Sequence, residues 1–175
     1  MNLILAYILL ILNGYAESCE CDVYYSFLDQ AKNAEVIVVG EVVALKERIS
    51  LPGDKPLAPD SPTRHSAVRI KVLDVVRGEL HDNHIKIYGY PYYSDSLTDE
   101  HPYRLGFEYV KEGTKIIFCL KKEDNENEKI DVYGLLCCGT SLLGIDDKNN
   151  VAGKITDPET ITIKPLQWVL SQIEQ

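Results

Sequence analysis

The sequence predicts a mainly β fold built around a five-stranded barrel, with one short helix near each end. Five segments are rich in β-branched residues or alternate apolar with polar side chains, and turn-forming residues separate them. Only two segments carry the apolar period of a helix. Eleven tyrosines and eight prolines against one methionine and one tryptophan favour strands joined by rigid loops. A chain of 175 residues suffices for one such domain.

The first two predicted elements follow each other directly. Residues 23–34 place four apolar side chains on one helical face, at Tyr24, Phe27, Leu28 and Ala31. Residues 35–45 are dominated by valine and isoleucine and predict a strand. Gly40 interrupts that strand, and we expect a bulge or bend there.

Four further strands are predicted beyond an irregular loop. Residues 51–62 contain four prolines and cannot continue a strand. The later apolar segments are residues 67–76, 83–90, 115–120 and 130–136. An acidic turn over residues 123–128 separates the last two of them. Five main strands with few helices suit a Greek-key barrel of the OB type.

The C-terminal segment predicts a second helix. Four apolar residues fall on one helical face behind Pro165, which suits the first position of a helix; they are Leu166, Val169, Leu170 and Ile173. We therefore expect the barrel domain to cover residues 19–145. Residues 146–175 are then a C-terminal extension whose helix packs on the barrel.

The N-terminus carries a predicted secretory signal. Leu3–Leu12 is an unbroken apolar run, too short for a membrane span and of the right length for the core of a signal peptide. A buried N-terminal strand or helix is the alternative. Small residues allow cleavage before Glu17 or before Cys19, and we take residues 1–18 as the signal. This predicts a secreted or periplasmic protein, with a lipoprotein acylated on Cys19 as a lesser option.

Charge narrows the function classes. Lys and Arg number 18 against 27 Asp and Glu, a net charge of −9. This balance excludes nucleic acid and a polybasic membrane surface as partners. No catalytic triad or carboxylate pair is evident, so we expect neither an enzyme nor a cofactor. We also expect no transmembrane segment in the mature chain.

The five cysteines are disulfide candidates if the protein is secreted; they are Cys19, Cys21, Cys119, Cys137 and Cys138. Cys19 and Cys21 are two residues apart, so in an extended segment their side chains point the same way and cannot easily pair with each other. The odd count leaves one thiol over, either one of the adjacent pair Cys137 and Cys138 or Cys119. Their spacing does not suit a zinc site of the protein's own.

Two polar clusters are predicted to be turns. His81 and His84 flank an aspartate at a spacing that a metal could use, but they fall between strands, where a solvated turn is expected. Residues 146–150 offer several oxygen ligands without the acid spacing of a calcium loop.

A group of tyrosines has two interpretations. Tyr90, Tyr92 and Tyr93 follow Tyr88 around Pro91. Tyr88 and Tyr90 can serve as cross-strand packing in the barrel. Alternatively, Tyr90, Tyr92 and Tyr93 form an aromatic surface for a protein or glycan partner, since tyrosine is enriched at interfaces.

The order of the segments resembles a known family. The segments are Cys19-Glu20-Cys21 before a short helix, then residues 33–42, 70–79, 107–108, 112–118 and 134–137. Taken together, they resemble the tissue inhibitors of metalloproteinases and their bacterial relatives, which share a netrin-like OB barrel. The resemblance covers roughly residues 19–140.

The resemblance implies a function for the N-terminus. In that family the first cysteine chelates the catalytic zinc of a protease through its free α-amine and its carbonyl. Carried over, Cys19 is the chelator, Cys21 holds the segment by a disulfide, and Glu20 points into the protease's specificity pocket. The family pattern also implies that Cys21 pairs with Cys137 or Cys138. The alternative is a non-inhibitory module that binds another extracellular or envelope protein.

Two features depart from the family pattern. The cysteine that pairs with the family's first cysteine has no counterpart around residues 103–107. Glu20 also stands where the family has a small or hydroxylated residue, and Asp22 adds a second negative charge nearby. We therefore expect weak inhibition of proteases whose pocket is apolar, because an unpaired carboxylate is costly to bury.

Overall fold

The computed structural model of the chain describes residues 25–49, 65–88, 104–105, 108–123, 130–136 and 140–174. These residues form two helices and ten strands. In chain order they are α1 (Phe27–Asn33), β1 (Val36–Ile49), β2 (His65–Arg77), β3 (His84–Tyr88), β4 (Arg104–Leu105), β5 (Glu108–Tyr109), β6 (Lys115–Glu123), β7 (Val132–Leu135), β8 (Leu142–Ile145), β9 (Asn150–Gly153), β10 (Thr162–Pro165) and α2 (Leu166–Ile173).

Five strands close into a barrel in the order β1, β2, β3, β7, β6 and back to β1. Every pairing around the barrel is antiparallel except that of β3 with β7, which is parallel. The predicted mainly β fold, an OB-like five-stranded barrel with a short helix near each end, is confirmed. Each barrel strand matches one of the five predicted segments.

Strand β1 is apolar on both faces because both faces are covered. Val36 and Val38 point into the barrel, whereas Ile37 and Val39 point outward toward the two helices. We call the barrel interior the inner core; its buried residues are Val36, Val38, Val42, Val68, Ile70, Ile85, Ile87, Ile116, Phe118, Leu120, Tyr133 and Leu142. We call the layer between barrel and helices the outer core; its buried residues are Phe27, Ala31, Ala34, Ile37, Val39, Ile117, Cys119, Leu143, Val151, Ile155, Val169 and Ile173.

Gly40 occupies an irregular point of β1, as predicted. The register of β1 against β2 shifts between Val39 and Gly40. A Cβ atom added at Gly40 would overlap Cγ2 of Ile70, so one of the two would have to shift. The absence of a side chain therefore lets β1 bend around the inner core while it pairs with β2 and β6.

Beyond the barrel, the sheet continues through β8, β9 and β10, which the sequence did not predict as strands. β8 pairs with β6, and each later strand pairs with the one before it. A tight turn joins β8 to β9, as expected for the polar segment 146–150. Its Asp146 carboxylate accepts hydrogen bonds from the backbone N–H groups of Lys148 and Asn150 at 2.9 and 2.7 Å.

Helix α2 lies where it was predicted and packs on the outer face of the barrel. Val169 and Ile173 are buried in the outer core. Pro165 is the cap residue before the helix and the last residue of β10, rather than the first helical residue. Neither of the helices in the described part of the chain is long and apolar enough to cross a membrane.

Candidate functional site

Most of the predicted site residues lie outside the residues that the structure describes. These are Cys19, Glu20, Cys21, Tyr90, Tyr92, Tyr93, Cys137 and Cys138. The predicted signal over residues 1–18 lies outside them as well. What the structure does describe is the base from which the Cys19–Cys21 segment extends, together with Cys119.

The described chain enters the fold between Tyr25 and Phe27. Tyr25 is 43% exposed, whereas Ser26 and Phe27 are buried almost completely. Phe27 begins α1 and contributes to the outer core. Since Cys21 precedes Tyr25 by only four residues, this point is the attachment of the predicted inhibitory segment. We call Ser26 and α1 together the N-terminal anchor.

Hydrogen bonds fix the beginning of the N-terminal anchor. The Ser26 hydroxyl accepts from the N–H of Asp29 at 3.2 Å and donates to the Asp29 carboxylate at 2.7 Å. Hydrogen bonds from Lys32 and then from Ser26 lower the pKa of Asp29 below its ordinary value. A serine cap with an acid in the first turn is the favourable arrangement at a helix start.

The first helical N–H groups bind the loop that follows β9. Phe27 donates to the carbonyl of Lys154 at 2.8 Å, and Leu28 donates to the carbonyl of Ile155 at 3.1 Å. These donors have no partner inside the helix, so the loop satisfies groups that would otherwise be unpaired. The start of α1 is therefore joined to the extended part of the sheet.

Arg77 fixes the other end of the N-terminal anchor. Its Nη1 donates to the carbonyl of Ala31 in α1, and its Nη2 donates to the carbonyl of Ile173 in α2 at 2.6 Å. A cation at a helix C-terminus is stabilised by the unpaired carbonyls there. One side chain of β2 thus binds the ends of both helices.

The joint between α1 and β1 is held by Glu35. Its N–H donates to the carbonyl of Leu120 at 3.1 Å, and its carboxylate accepts from the N–H of Lys122 at 3.0 Å. Gly78 passes close by with a φ of +84°, and a Cβ there would lie 2.5 Å from the Glu35 carbonyl oxygen. Glycine is required at Gly78 by both its conformation and the lack of space.

Cys119 is a free thiol, fully buried in the outer core. Cys119 was one of the disulfide candidates, and in the structure it has no disulfide partner among the described residues. Burial raises the pKa of the Cys119 thiol well above its ordinary value, and the nearby charge of Arg77 acts in the opposite direction. A protonated thiol without access to solvent is neither a nucleophile nor a metal ligand.

Leu136 lies directly before Cys137 and packs against the outer core. Phe27 of the N-terminal anchor is part of the same core. Leu136 and Phe27 therefore lie on the same side of the barrel.

Tyr88 is a packing residue, as one interpretation of the tyrosines expected. Its ring lies over Gly134 of β7, where an added Cβ would be 3.4 Å from the ring. Tyr88 also packs against the cluster of Ile49, Ala67 and Val132. Burial, and then its hydrogen bond to Glu123, raise the pKa of Tyr88 above its ordinary value.

His81 lies in the turn before β3, as predicted, whereas His84 is the first residue of that strand. A ring nitrogen of His84 is 3.2 Å from Oδ1 of Asn83, and His81 is exposed. Among the described residues, no group of three or more His, Cys, Asp or Glu side chains could hold a metal ion.

Sequence reasoning missed a charged cluster on the outer face of the barrel. Arg69 and Lys86 are register partners on β2 and β3. The Glu47 carboxylate lies between them, 3.1 Å from Nη2 of Arg69 and 3.8 Å from Nζ of Lys86. No local motif marks these residues, because the pairing depends on the register of three strands.

No protein-family model matches this chain, and no curated protein matches it in sequence. The OB-like fold therefore stands on the structure, and a function has to be argued from the residues themselves.

Proposed function

We propose that the protein is a secreted, disulfide-stabilised inhibitor that binds the catalytic zinc of a metalloprotease through the α-amine and carbonyl of Cys19. The observation that supports this proposal most is the N-terminal anchor. The helix that follows the Cys19–Cys21 segment is hydrogen-bonded at its start to Lys154 and Ile155 and at its end to Arg77. It is buried against the barrel in between.

The chemistry of the contact is reasonable. An α-amine and a carbonyl on one residue form a five-membered chelate ring, and catalytic zinc keeps a coordination position open for such a ligand. A segment that starts from a fixed base loses less conformational entropy on binding. Cys19 lies seven residues before Ser26, so its amine can reach no more than about 25 Å from the anchor.

A disulfide from Cys21 to Cys137 or Cys138 belongs to the same proposal. Leu136, directly before Cys137, and Phe27, six residues after Cys21, both belong to the outer core. In the chain-entropy model, a bridge that closes a loop of about 116 residues stabilises the fold by roughly 4–5 kcal/mol. It would also hold Cys19 and Glu20 close to the barrel.

Glu20 selects the target. In this binding mode its carboxylate enters the pocket beside the zinc, and a basic residue in that pocket would pair with it. A protease with an apolar pocket would bury the charge without a partner. The proposed target is therefore a zinc protease with a basic specificity pocket.

A second candidate function follows from the same residue. If the charges of Glu20 and Asp22 prevent binding to a protease, the barrel is a non-inhibitory module for another extracellular or envelope protein. The tyrosines Tyr90, Tyr92 and Tyr93 are then the proposed contact surface.

The mature N-terminus separates the two functions. Intact-mass measurement and N-terminal sequencing of the purified protein identify its first residue. An unmodified Cys19 at the first position leaves the amine available for zinc, as the inhibitor requires. A chain that starts at Glu17, or an acylated Cys19, rules out chelation and leaves the binding module. Peptide mapping without reduction then shows whether Cys21 is linked to Cys137 or Cys138.

A further inference from the structure

Among the described residues, β10 has a strand partner on one edge only. β10 is the terminal strand of the eight-stranded sheet, and within the described part of the chain it pairs with β9 alone. An open strand edge offers unpaired backbone donors and acceptors to another strand. Proteins usually protect such edges with charges, proline or a bulge.

The hydrogen bonds between β9 and β10 show which residues face outward. The N–H of Leu166, directly after β10, donates to the carbonyl of Asn149 at 2.8 Å. In an antiparallel pair, the backbone groups of alternate residues point to the same neighbour. The backbone N–H and carbonyl groups of the even-numbered residues of β10 therefore point to β9. The N–H and carbonyl groups of Ile161 and Ile163 point away from it.

The same two residues carry the most exposed large apolar side chains of the described chain. Ile161 is 66% exposed and Ile163 is 61% exposed. Because they are two positions apart in an extended segment, both side chains lie on one face of the sheet. Lys164 and Pro165 protect only the C-terminal end of β10, so residues 161–163 remain open to pairing.

Charge differs between the two ends of this edge. Asp157 and Glu159 are exposed just before the strand, and the Asp157 carboxylate accepts from the N–H of Glu159 at 2.8 Å. Lys164 lies at the other end, with its ammonium 5.2 Å from the centre of the Trp168 ring. An antiparallel neighbour with the same sequence would place its basic end beside this acidic end.

We propose that two copies of this chain associate by antiparallel pairing of β10 with β10, with Ile161 of each copy opposite Ile163 of the other. The pairing is two-fold symmetric, so the same surface serves both copies. It satisfies the outward N–H and carbonyl groups of both isoleucines and packs four isoleucine side chains on one face. It also places the acidic end of each edge, which carries Asp157 and Glu159, beside the basic end of the other, which carries Lys164.

The second copy is the occupant that the observations favour, because it supplies both the apolar pair and the matching charges. The contact is small. Four isoleucines and a short strand pair bury less than the roughly 1,200 Å² of a stable interface. The dimer is therefore weak, with a dissociation constant on the order of 10⁻⁴ M.

Sedimentation equilibrium of the purified protein tests the proposal. Protein concentrations up to about 1 mM are needed, because they must exceed the expected dissociation constant. The expected result is a concentration-dependent equilibrium between monomer and dimer. Ile163→Pro removes an outward N–H while leaving every bond to β9, and Ile163→Lys adds a charge to the face. Each substitution should raise the dissociation constant at least tenfold, whereas Ile163→Val should not.

Leu73→Thr is the matched control, because Leu73 is an exposed apolar residue of β2, far from this edge in the sheet order. It should dimerise like the wild type, and circular dichroism checks that all variants are folded. A protein that stays monomeric at every concentration overturns the proposal and leaves this edge to a strand of another protein. Dimers that persist unchanged in Ile163→Pro and Ile163→Lys overturn it too, since the contact then lies elsewhere. None of these results depends on zinc or on a protease.

Discussion

Nη2 of Arg77 lies 2.6 Å from the carbonyl oxygen of Ile173, a residue 96 positions later in the chain. The same guanidinium binds Ala31, 46 positions earlier. β2 therefore joins the first helix to the last, and both helices are held over the outer core. The N-terminal anchor depends on this contact as much as on its own serine cap.

Arg77→Met should destabilise the protein by about 2–3 kcal/mol, because two carbonyls at helix ends lose charge-assisted hydrogen bonds. Methionine keeps the apolar stem of the side chain, so the loss reports the guanidinium. Urea denaturation measures the free energy of unfolding. Lys71→Met, at an exposed position of the same strand, is the control and should change it by less than about 0.5 kcal/mol. Equal effects of the two substitutions would show that Arg77 does not hold the helices.

Cys119 should resist alkylation in the folded protein. Its thiol is buried and its pKa is raised by that burial, so little thiolate forms near neutral pH. Iodoacetamide followed by peptide mass mapping should find Cys119 unlabelled in buffer and labelled in denaturant. Rapid labelling of Cys119 under native conditions would contradict its place in the outer core.

The stability of the fold should decrease between about pH 10 and pH 12 through Tyr133. Burial raises the pKa of Tyr133 to about 12, and the charges of Asp131 and Asp82 add to the effect. The unfolded chain loses this proton near pH 10, so above that pH the unfolded state binds fewer protons and is favoured. The expected loss is about 1–2 kcal/mol. Denaturation curves at several pH values should show a smaller decrease in Tyr133→Phe than in the wild type, and identical slopes would refute the assignment.

Gly40→Ala should destabilise the protein by about 1–3 kcal/mol, because the new methyl group would overlap Cγ2 of Ile70. Leucine carries no such methyl group, so Ile70→Leu should relieve part of the cost in the double variant. A double-mutant cycle from denaturation curves measures this coupling. Purely additive effects would mean that β1 shifts away rather than meeting Ile70.

The barrel could be predicted from the sequence because its strands are long and strongly patterned. β1 alternates between two buried faces, and one of the shifts in its register against β2 falls at Gly40, the one glycine in the segment. The apolar period of α2 was similarly clear. These features are local, so a single sequence contains them.

The later strands could not be predicted because their apolar patterns are short or place an apolar side chain on the exposed face. In β8, Leu142 and Leu143 are adjacent and both are buried, one in the inner core and one in the outer core. In β10 the one isoleucine, Ile163, is exposed rather than buried. The role of Arg77 was also out of reach, since it depends on two helix ends that only the folded chain brings together. The predicted inhibitory segment lies outside the described residues, so its proposed role still rests on the sequence.

The inhibition constant of the mature chain against a zinc metalloprotease tests the central proposal most directly. Four forms are compared on one protease with an apolar pocket: the wild type and Glu20→Thr, each starting at Cys19 or carrying one extra N-terminal alanine. We predict weak inhibition by the wild type and at least tenfold tighter inhibition by Glu20→Thr, because about 1.4 kcal/mol or more of charge burial is removed. The added alanine should abolish inhibition by both, because it converts the chelating amine into an amide. Equal inhibition with and without the alanine, or no inhibition by Glu20→Thr, would contradict the account.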